Sequence, residues 1–228
     1  MATITDPRPA GLNGVAGLNG VAGLNGAAKR DEPFATQTNS GWGNAGPLSL
    51  LAFAVVTLML SLINAKAITA PVAPVVFGVG LVFGGTTQLI GGLIQLRNGN
   101  TFQGVLFSCF GAFWIALAAI LQWFLKEIPA AQAGHALGLL LYGFTPMVVV
   151  LWLASFRTSR VVVTALFVVL ATFVLLAVGN YGGHTSLIHI GGYTGILAAA
   201  LAFYLALAEL CEFSYGRTVL PVWSLAKS

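Results

Sequence analysis

The strongest constraint on this chain is a series of long apolar runs, each of which lacks any charged side chain. The first run occupies residues 48–63 and follows Pro47, whose missing N–H is tolerated in the first turn of a helix. Five similar runs follow it, at about residues 72–96, 102–125, 135–156, 161–178 and 186–208. A helix needs about 20 apolar residues to cross the hydrocarbon core of a bilayer. The pattern therefore predicts an all-α polytopic membrane protein with six transmembrane helices.

The composition excludes several other classes of protein. Charged residues make up 7% of the 228 residues and hydrophobic residues 57%, whereas about 25% of residues in soluble proteins are charged. The cations lie in short segments between the apolar runs, so the net charge of +4 indicates no nucleic-acid partner. Cys109 and Cys211 lie inside or beside such runs and predict no disulfide framework. No nucleophile–base arrangement, metal-ligand cluster or phosphate loop is visible, so we expect neither an enzyme nor a cofactor.

The chain divides into three predicted segments. Residues 1–43 carry the hexapeptide GLNGVA twice and then GLNGAA. Such Gly- and Asn-rich repeats bury little surface when they order, which predicts a flexible cytoplasmic tail. Residues 44–221 hold the six apolar runs and form the predicted transmembrane transport domain. Residues 222–228 are a short cytoplasmic C-terminal tail.

The distribution of cations predicts the orientation in the membrane. Six spans put both termini on one side, and that side holds eight of the ten Lys and Arg residues. The eight are Arg8, Lys29, Arg30, Arg97, Arg157, Arg160, Arg217 and Lys227. The opposite loops hold only Lys66 and Lys126. Because cytoplasmic loops are enriched in Lys and Arg, we expect a multi-pass plasma-membrane protein with both termini in the cytoplasm.

The second apolar run presents a face of small and polar residues. Gly80 and Gly84 form a GxxxG pair, and Gln88 and Gln95 lie seven residues apart on the same helical face. Such a face is expected to point into the protein and away from lipid. A packing seam between helices and the lining of a pore both remain possible for it.

Three stretches together carry a family resemblance. Residues 44–50, NAGPLSL, are similar to the N-P-A-P-L-G-L signature of the acetate uptake transporter family, which includes the bacterial succinate–acetate permeases. Residues 99–114 resemble its G-N-T-F…S-Y-G-x-F-W motif, and residues 215–221, YGRTVLP, resemble its F-G-R-T-V-L-P. The three motifs occur in order across all six predicted spans, so the resemblance covers nearly the whole membrane part.

The resemblance implies a six-helix protomer, assembled into a homohexamer, that moves acetate and similar small monocarboxylates. It also implies that each protomer has its own pathway, closed at its narrowest point by a Phe, a Tyr and a Leu. Those positions are Phe53, Phe110 and Val169 in this sequence. Phe110 lacks the phenol hydroxyl, and Val169 is one methylene shorter than Leu. We therefore expect slightly larger acids, such as lactate, propionate or succinate, to pass as well.

The apolar runs contain no Lys or Arg, so a carboxylate in transit must meet neutral donors or travel as the protonated acid. Helix N-termini favour carboxylates, which makes Asn44, at the start of the first helix, a candidate donor. The other candidate substrate-binding residues are Leu48, Ser49, Thr57, Asn64, Gln88, Asn180 and Ala202. Each polar candidate could equally make a structural hydrogen bond.

Two residues are candidates for a response to pH or for carrying a proton. His189 lies near the start of the sixth run, close to the predicted outer loops that hold His135 and His184. Glu209 follows the last apolar residues of that run, and we expect it to pair with an arginine such as Arg217. Channel-like passage and proton symport both fit the sequence.

Two other functional classes also fit a chain of this composition. A urea or ammonia channel shares the expected six-helix hexameric architecture, and a membrane sensor could use the repeat tail to bind a partner. The expected partners under the first interpretation are small organic acids, the lipid bilayer and further copies of the chain.

Overall fold

The computed structural model describes residues 41–225. The hexapeptide repeats of the predicted N-terminal tail, and the last three residues, lie outside the described residues. Within residues 41–225 the chain is helical, and six helical segments are long and apolar enough to cross a membrane. The prediction of six spans in an all-α protein is confirmed.

The described residues form seven α-helices. They are α1 Gly46–Asn64, α2 Ala73–Val79, α3 Gln88–Arg97, α4 Thr101–Ala119, α5 Ala133–Ala154, α6 Arg160–Tyr181 and α7 Thr185–Tyr215. A π-helix, Gly80–Thr87, joins α2 to α3 as one span, and a second, Ile120–Phe124, extends α4. Pro146 lies inside α5. The spans run Gly46–Asn64, Ala70–Arg97, Thr101–Glu127, Ala130–Arg157, Arg160–Tyr181 and Thr185–Tyr215.

Successive spans run in opposite directions, which gives the bundle two ends. We call the end where α1, α4 and α6 begin the near end, and the opposite one the far end. The start of α1 and the last turns of α7 meet at the near end, where Asn44 hydrogen-bonds to Glu209. The short connections α3–α4 and α5–α6 lie at the near end, and the connections that follow α1, α4 and α6 lie at the far end.

Glycines let α1 pack closely against its neighbours. A Cβ added at Gly84 would overlap Val56 of α1, and one added at Gly91 would overlap Ser49. One added at Gly192 of α7 would overlap the backbone at the C-terminal end of α1. No hydrophobic effect drives helices together in lipid, so such close backbone contact is a main source of packing energy there. The glycine face of the second span is thus a packing seam with α1.

The π-helix in the second span was not foreseen from the sequence. Thr86 Oγ1 donates to Leu81 O at 2.9 Å, and Thr87 Oγ1 donates to Val82 O at 3.1 Å, so both hydroxyls bond five residues back. A π turn rotates all the residues after it relative to a continuous α-helix, and such turns are frequent at functional sites. The residue that follows this one is Gln88, the first residue of α3.

The C-terminal segment is tied to the near end. Ser224 forms an antiparallel bridge with Ser159, in the connection between α5 and α6, and Arg160 N donates to Trp223 O at 2.9 Å. Val222 is buried in the apolar core. The start of the predicted C-terminal tail is therefore packed against the domain.

Candidate functional site: two chambers and a constriction

Two internal cavities lie one behind the other inside the bundle. The near chamber has a volume of about 60 Å³ and the far chamber about 120 Å³. Phe53, Val169 and Ala198 line both, so these residues stand at the boundary between them. A cavity needs about 10–15 Å³ for each water-sized group. The near chamber thus has room for one solute as small as acetate, and the far chamber for a larger one.

Three side chains from different helices meet at this boundary. The rings of Phe53 in α1 and Phe110 in α4 make an edge-to-face contact with their centroids 5.2 Å apart. Phe110 also meets Phe173 of α6 at 6.2 Å. Phe110 is 2% exposed and Val169 of α6 is 5% exposed. These apolar side chains lie where the two chambers meet, and edge-to-face pairs of this kind contribute about 0.5–1.5 kcal/mol each.

The near chamber is apolar except for a few groups. Gln88 lines it and is 0% exposed, and neither atom of its amide has a hydrogen-bond partner within residues 41–225. Leaving a buried amide unpaired costs about 1–3 kcal/mol. An unpaired amide that faces a cavity is therefore suited to bind a polar solute. Ala202, another sequence candidate, lines the same chamber.

The far chamber carries a larger number of neutral polar groups. Thr57, Asn64 and Asn180, all candidates from the sequence, line it together with Ser61 and Thr172. The Thr57 hydroxyl is buried and has no partner among the described residues. Asn180 Nδ2 donates to Leu176 O at 2.8 Å, so part of its amide serves the helix itself.

A partly buried network of amides lies at the near end. Gln95 Nε2 donates to Asn44 Oδ1 at 2.7 Å and also to Gln103 Oε1. Asn100, which caps α4, donates through Nδ2 to the same Gln103 oxygen at 3.0 Å. The network connects the start of α1, the end of α3 and the start of α4.

This network ends on the carboxyl group of Glu209. Asn44 Nδ2 donates to Oε2 at 3.2 Å, and Gln103 Nε2 donates to Oε1 at 3.3 Å. Glu209 is 6% exposed and lines the near chamber. The expected pairing with Arg217 is wrong, because Arg217 is exposed beyond the end of α7 and the amides provide the donors.

Gly46 is required beside this carboxyl group. A Cβ added at Gly46 would lie 2.5 Å from Glu209 Oε2 and 3.0 Å from Asn44 Oδ1. The Gly46 N–H itself donates to Asn44 Oδ1 at 2.8 Å. The first turn of α1, where an anion site was predicted, is therefore occupied by a carboxyl group of the chain itself.

Four candidates from the sequence line neither chamber, and the first of them is Asn44 in the amide network at the near end. Leu48 is 43% exposed on the outer face of α1. Ser49 is buried, but its hydroxyl donates to Ala45 O at 3.0 Å and faces Gly91. His189 lies near the start of α7 and lines neither chamber.

Sequence reasoning missed Gln103 and Trp114. Gln103 follows the cap residue of α4 by three residues, and this position faces back toward the start of the helix. Recognition of the cap in the sequence would therefore have predicted where Gln103 lies. Trp114 lines the far chamber with its indole N–H unpaired within residues 41–225. In the sequence it stands out only as the last residue of the motif at residues 99–114.

The pathway has very little fixed charge. No Lys or Arg lines either chamber, and Glu209 is the only ionisable residue among the described lining residues. Within residues 41–225 no group of three His, Cys, Asp or Glu side chains could hold a metal ion. The site can therefore offer a solute neutral hydrogen bonds and apolar contact.

The family can now be stated from sequence comparison. The GPR1/FUN34/yaaH family matches residues 26–227. The chain belongs to this family. The resemblance found in the three sequence motifs is confirmed.

Several members have names that describe a transported compound. The succinate-acetate/proton symporter SatP of Escherichia coli K12 is 32% identical over 81% of this chain and 97% of its own length. Acetate permease A of Emericella nidulans is 34% identical over 79% of this chain and 66% of its own length. The ammonia transport outward protein 2 of Saccharomyces cerevisiae is 32% identical over 74% of this chain and 62% of its own length.

The fold matches a solved member of the family. The bacterial acetate channel SatP superposes with a TM-score of 0.74 at 31% identity, over 79% of this chain and 99% of that one. The part of the chain with the two chambers thus has the architecture of a known membrane channel.

The contact between Gly46 and Glu209 predicts the effect of a small substitution. Gly46→Ala should lower the free energy of unfolding by about 1–3 kcal/mol, because the added methyl group overlaps a well-packed polar network. Thermal unfolding of the purified protein in detergent measures this. Gly43→Ala is the control, since a Cβ there meets nothing within 4 Å. Equal midpoints for the two variants would contradict the assigned contact.

Proposed function

We propose that this protein carries small monocarboxylates, with acetate the simplest of them, across the plasma membrane. The observation that carries the proposal is the pair of chambers separated by Phe53, Phe110 and Val169. The names of SatP and acetate permease A support it, since both relatives cover most of this chain.

The chambers are suited to passage and less suited to tight binding. A fixed cation at the centre would hold a carboxylate strongly and slow its release, and none lines either chamber. Gln88 on the near side and Thr57 on the far side each present an unpaired polar group to the pathway. We assign them as the groups that replace part of the solute's hydration on the two sides of the constriction.

Glu209 and His189 are the candidates for proton coupling. Glu209 is the better placed of the two, because it lines the near chamber whereas His189 lines neither. Coupled symport and channel-like passage are distinguished by whether a pH gradient alone drives accumulation.

The orientation and the assembly form part of the proposal. Arg97, Arg157, Arg160 and Arg217 belong to the near end, and the far-end loops of the described chain carry Lys66 and Lys126. By the positive-inside rule we assign the near end and both termini to the cytoplasm. We assign one pathway to each protomer, since both chambers lie inside a single chain, and we assign a homohexamer from the family resemblance alone.

Flux into proteoliposomes tests the proposal. Labelled acetate should enter vesicles that contain the protein faster than protein-free vesicles, and excess propionate should compete whereas urea should not. The membrane potential and the pH gradient are set independently. Urea or ammonia flux without acetate flux would contradict the proposal and favour the second candidate, a channel for neutral nitrogen compounds, which the name of the yeast relative suggests.

The short side chain of Val169 predicts how the protein selects between acetate and larger acids. Val169→Leu adds one methylene at the constriction and should lower the flux of propionate and lactate relative to acetate by roughly tenfold, since one methylene in a closed pocket changes binding by about 1–3 kcal/mol. Val174→Leu, on the exposed face of the same helix, is the control. If the wild-type protein already rejects every acid larger than acetate, the assignment of Val169 is wrong.

A further inference from the structure

We propose that Glu209 is a built-in competitor of the transported anion: its carboxyl group occupies the hydrogen-bond donors at the near end that a substrate carboxylate uses in transit. The inference rests on the proposed function and adds a specific step to it. A substrate passing between the near chamber and the near end must exchange places with the Glu209 side chain.

The direction of the hydrogen bonds is the first argument. Gln95 donates to Asn44 and to Gln103, and each of those residues donates in turn to one oxygen of Glu209. Two amide donors, one from Asn44 and one from Gln103, thus end on a single carboxyl group. Linked hydrogen bonds polarise one another, so this donor pair is a strong site for a carboxylate.

The location is the second argument. Glu209 and one of its two donors, Gln103, both line the near chamber, and the other donor, Asn44, lies beside them at the exposed near end. Glu209 Oε2 is also next to the first turn of α1, at 2.5 Å from the position of a Cβ on Gly46. Helix N-termini attract carboxylates. The same place therefore suits the carboxylate of the chain and that of a small acid.

The third argument is the unpaired amide of Gln88 in the same chamber. Glu209 has two donors, whereas Gln88 is 0% exposed and has none of its hydrogen bonds satisfied by residues 41–225. A solute held at Gln88 occupies the same chamber that Gln103 and Glu209 line. When Glu209 moves aside, the carboxylate of the solute can take over the N–H groups of Asn44 and Gln103, and the two carboxyl groups use the donors in turn.

Two substitutions separate competition for donors from simple charge repulsion. Glu209→Asp keeps the carboxyl group but shortens the side chain by about one C–C bond. Because the donors are already at 3.2 and 3.3 Å, the shorter side chain places the carboxyl group beyond hydrogen-bond range. Glu209→Gln keeps the shape and directs an N–H group at one of the donors. Both should lower the half-saturating concentration of labelled acetate by roughly three- to tenfold, the effect of releasing about one hydrogen bond.

The control is Glu212→Gln, which alters a carboxyl group on the same helix that accepts from Thr218 at 3.1 Å and lines neither chamber. It should leave the half-saturating concentration unchanged, and a fall equal to that of Glu209→Gln overturns the proposal. An unchanged half-saturating concentration in Glu209→Asp, together with a lowered one in Glu209→Gln, also overturns the proposal, since loss of charge alone then explains the effect. An increase in both Glu209 variants overturns it as well, because Glu209 then assists binding.

Infrared difference spectroscopy tests the exchange without relying on flux. Adding ¹³C-labelled acetate to the reconstituted wild-type protein should shift carboxyl bands that are missing in Glu209→Gln, and the isotope separates them from the bands of acetate itself. If the protein transports acetate but the carboxyl bands of Glu209 do not shift, the proposed exchange is overturned and the proposed function stays intact. A protein with no acetate flux contradicts the proposed function, and the infrared bands then decide the exchange separately.

Discussion

The main physical constraint on this protein is the cost of moving a carboxylate through a low-dielectric interior that contains no fixed cation. Transfer of an isolated ion into such surroundings is prohibitive, so neutral donors must replace water along the way. Under the proposed function these donors come in stages: the amides of Asn44 and Gln103 at the near end, Gln88 in the near chamber and the hydroxyl of Thr57 in the far chamber. Weak donors at several points allow release as well as entry.

Glycine packing keeps this arrangement rigid. Gly84 and Gly91 bring the second span against α1, and Gly46 leaves room for the Glu209 carboxyl group at the start of α1. A rigid bundle of this kind can hold an apolar narrowing at Phe53 and Phe110 with open space on both sides of it. Most of the polar residues that line the two chambers come from α1, α4 and α6.

Much of the fold followed from residue patterns, whereas little of the site did. Charge-free runs predicted the six spans because lipid excludes charges over a known thickness. The family motifs identified Phe53, Phe110 and Val169 as one group of residues. They contain no information about the contacts between these side chains. Arg217 was wrongly preferred as the partner of Glu209, because sequence distance favoured a local ion pair over amides 106 and 165 residues away. No sequence pattern predicts the π-helix before Gln88, because its formation depends on how the second span packs against its neighbours.

Blocking the constriction chemically is the most direct test of a single pathway through each protomer. In a background with Cys109 and Cys211 replaced by alanine, Val169→Cys should lose acetate flux when a small thiosulfonate reagent modifies the new thiol. Val174→Cys, which is on the exposed face of the same helix, should keep its flux after the same treatment. Full acetate flux through a protein modified at position 169 would contradict the account, because the solute would then have to cross elsewhere.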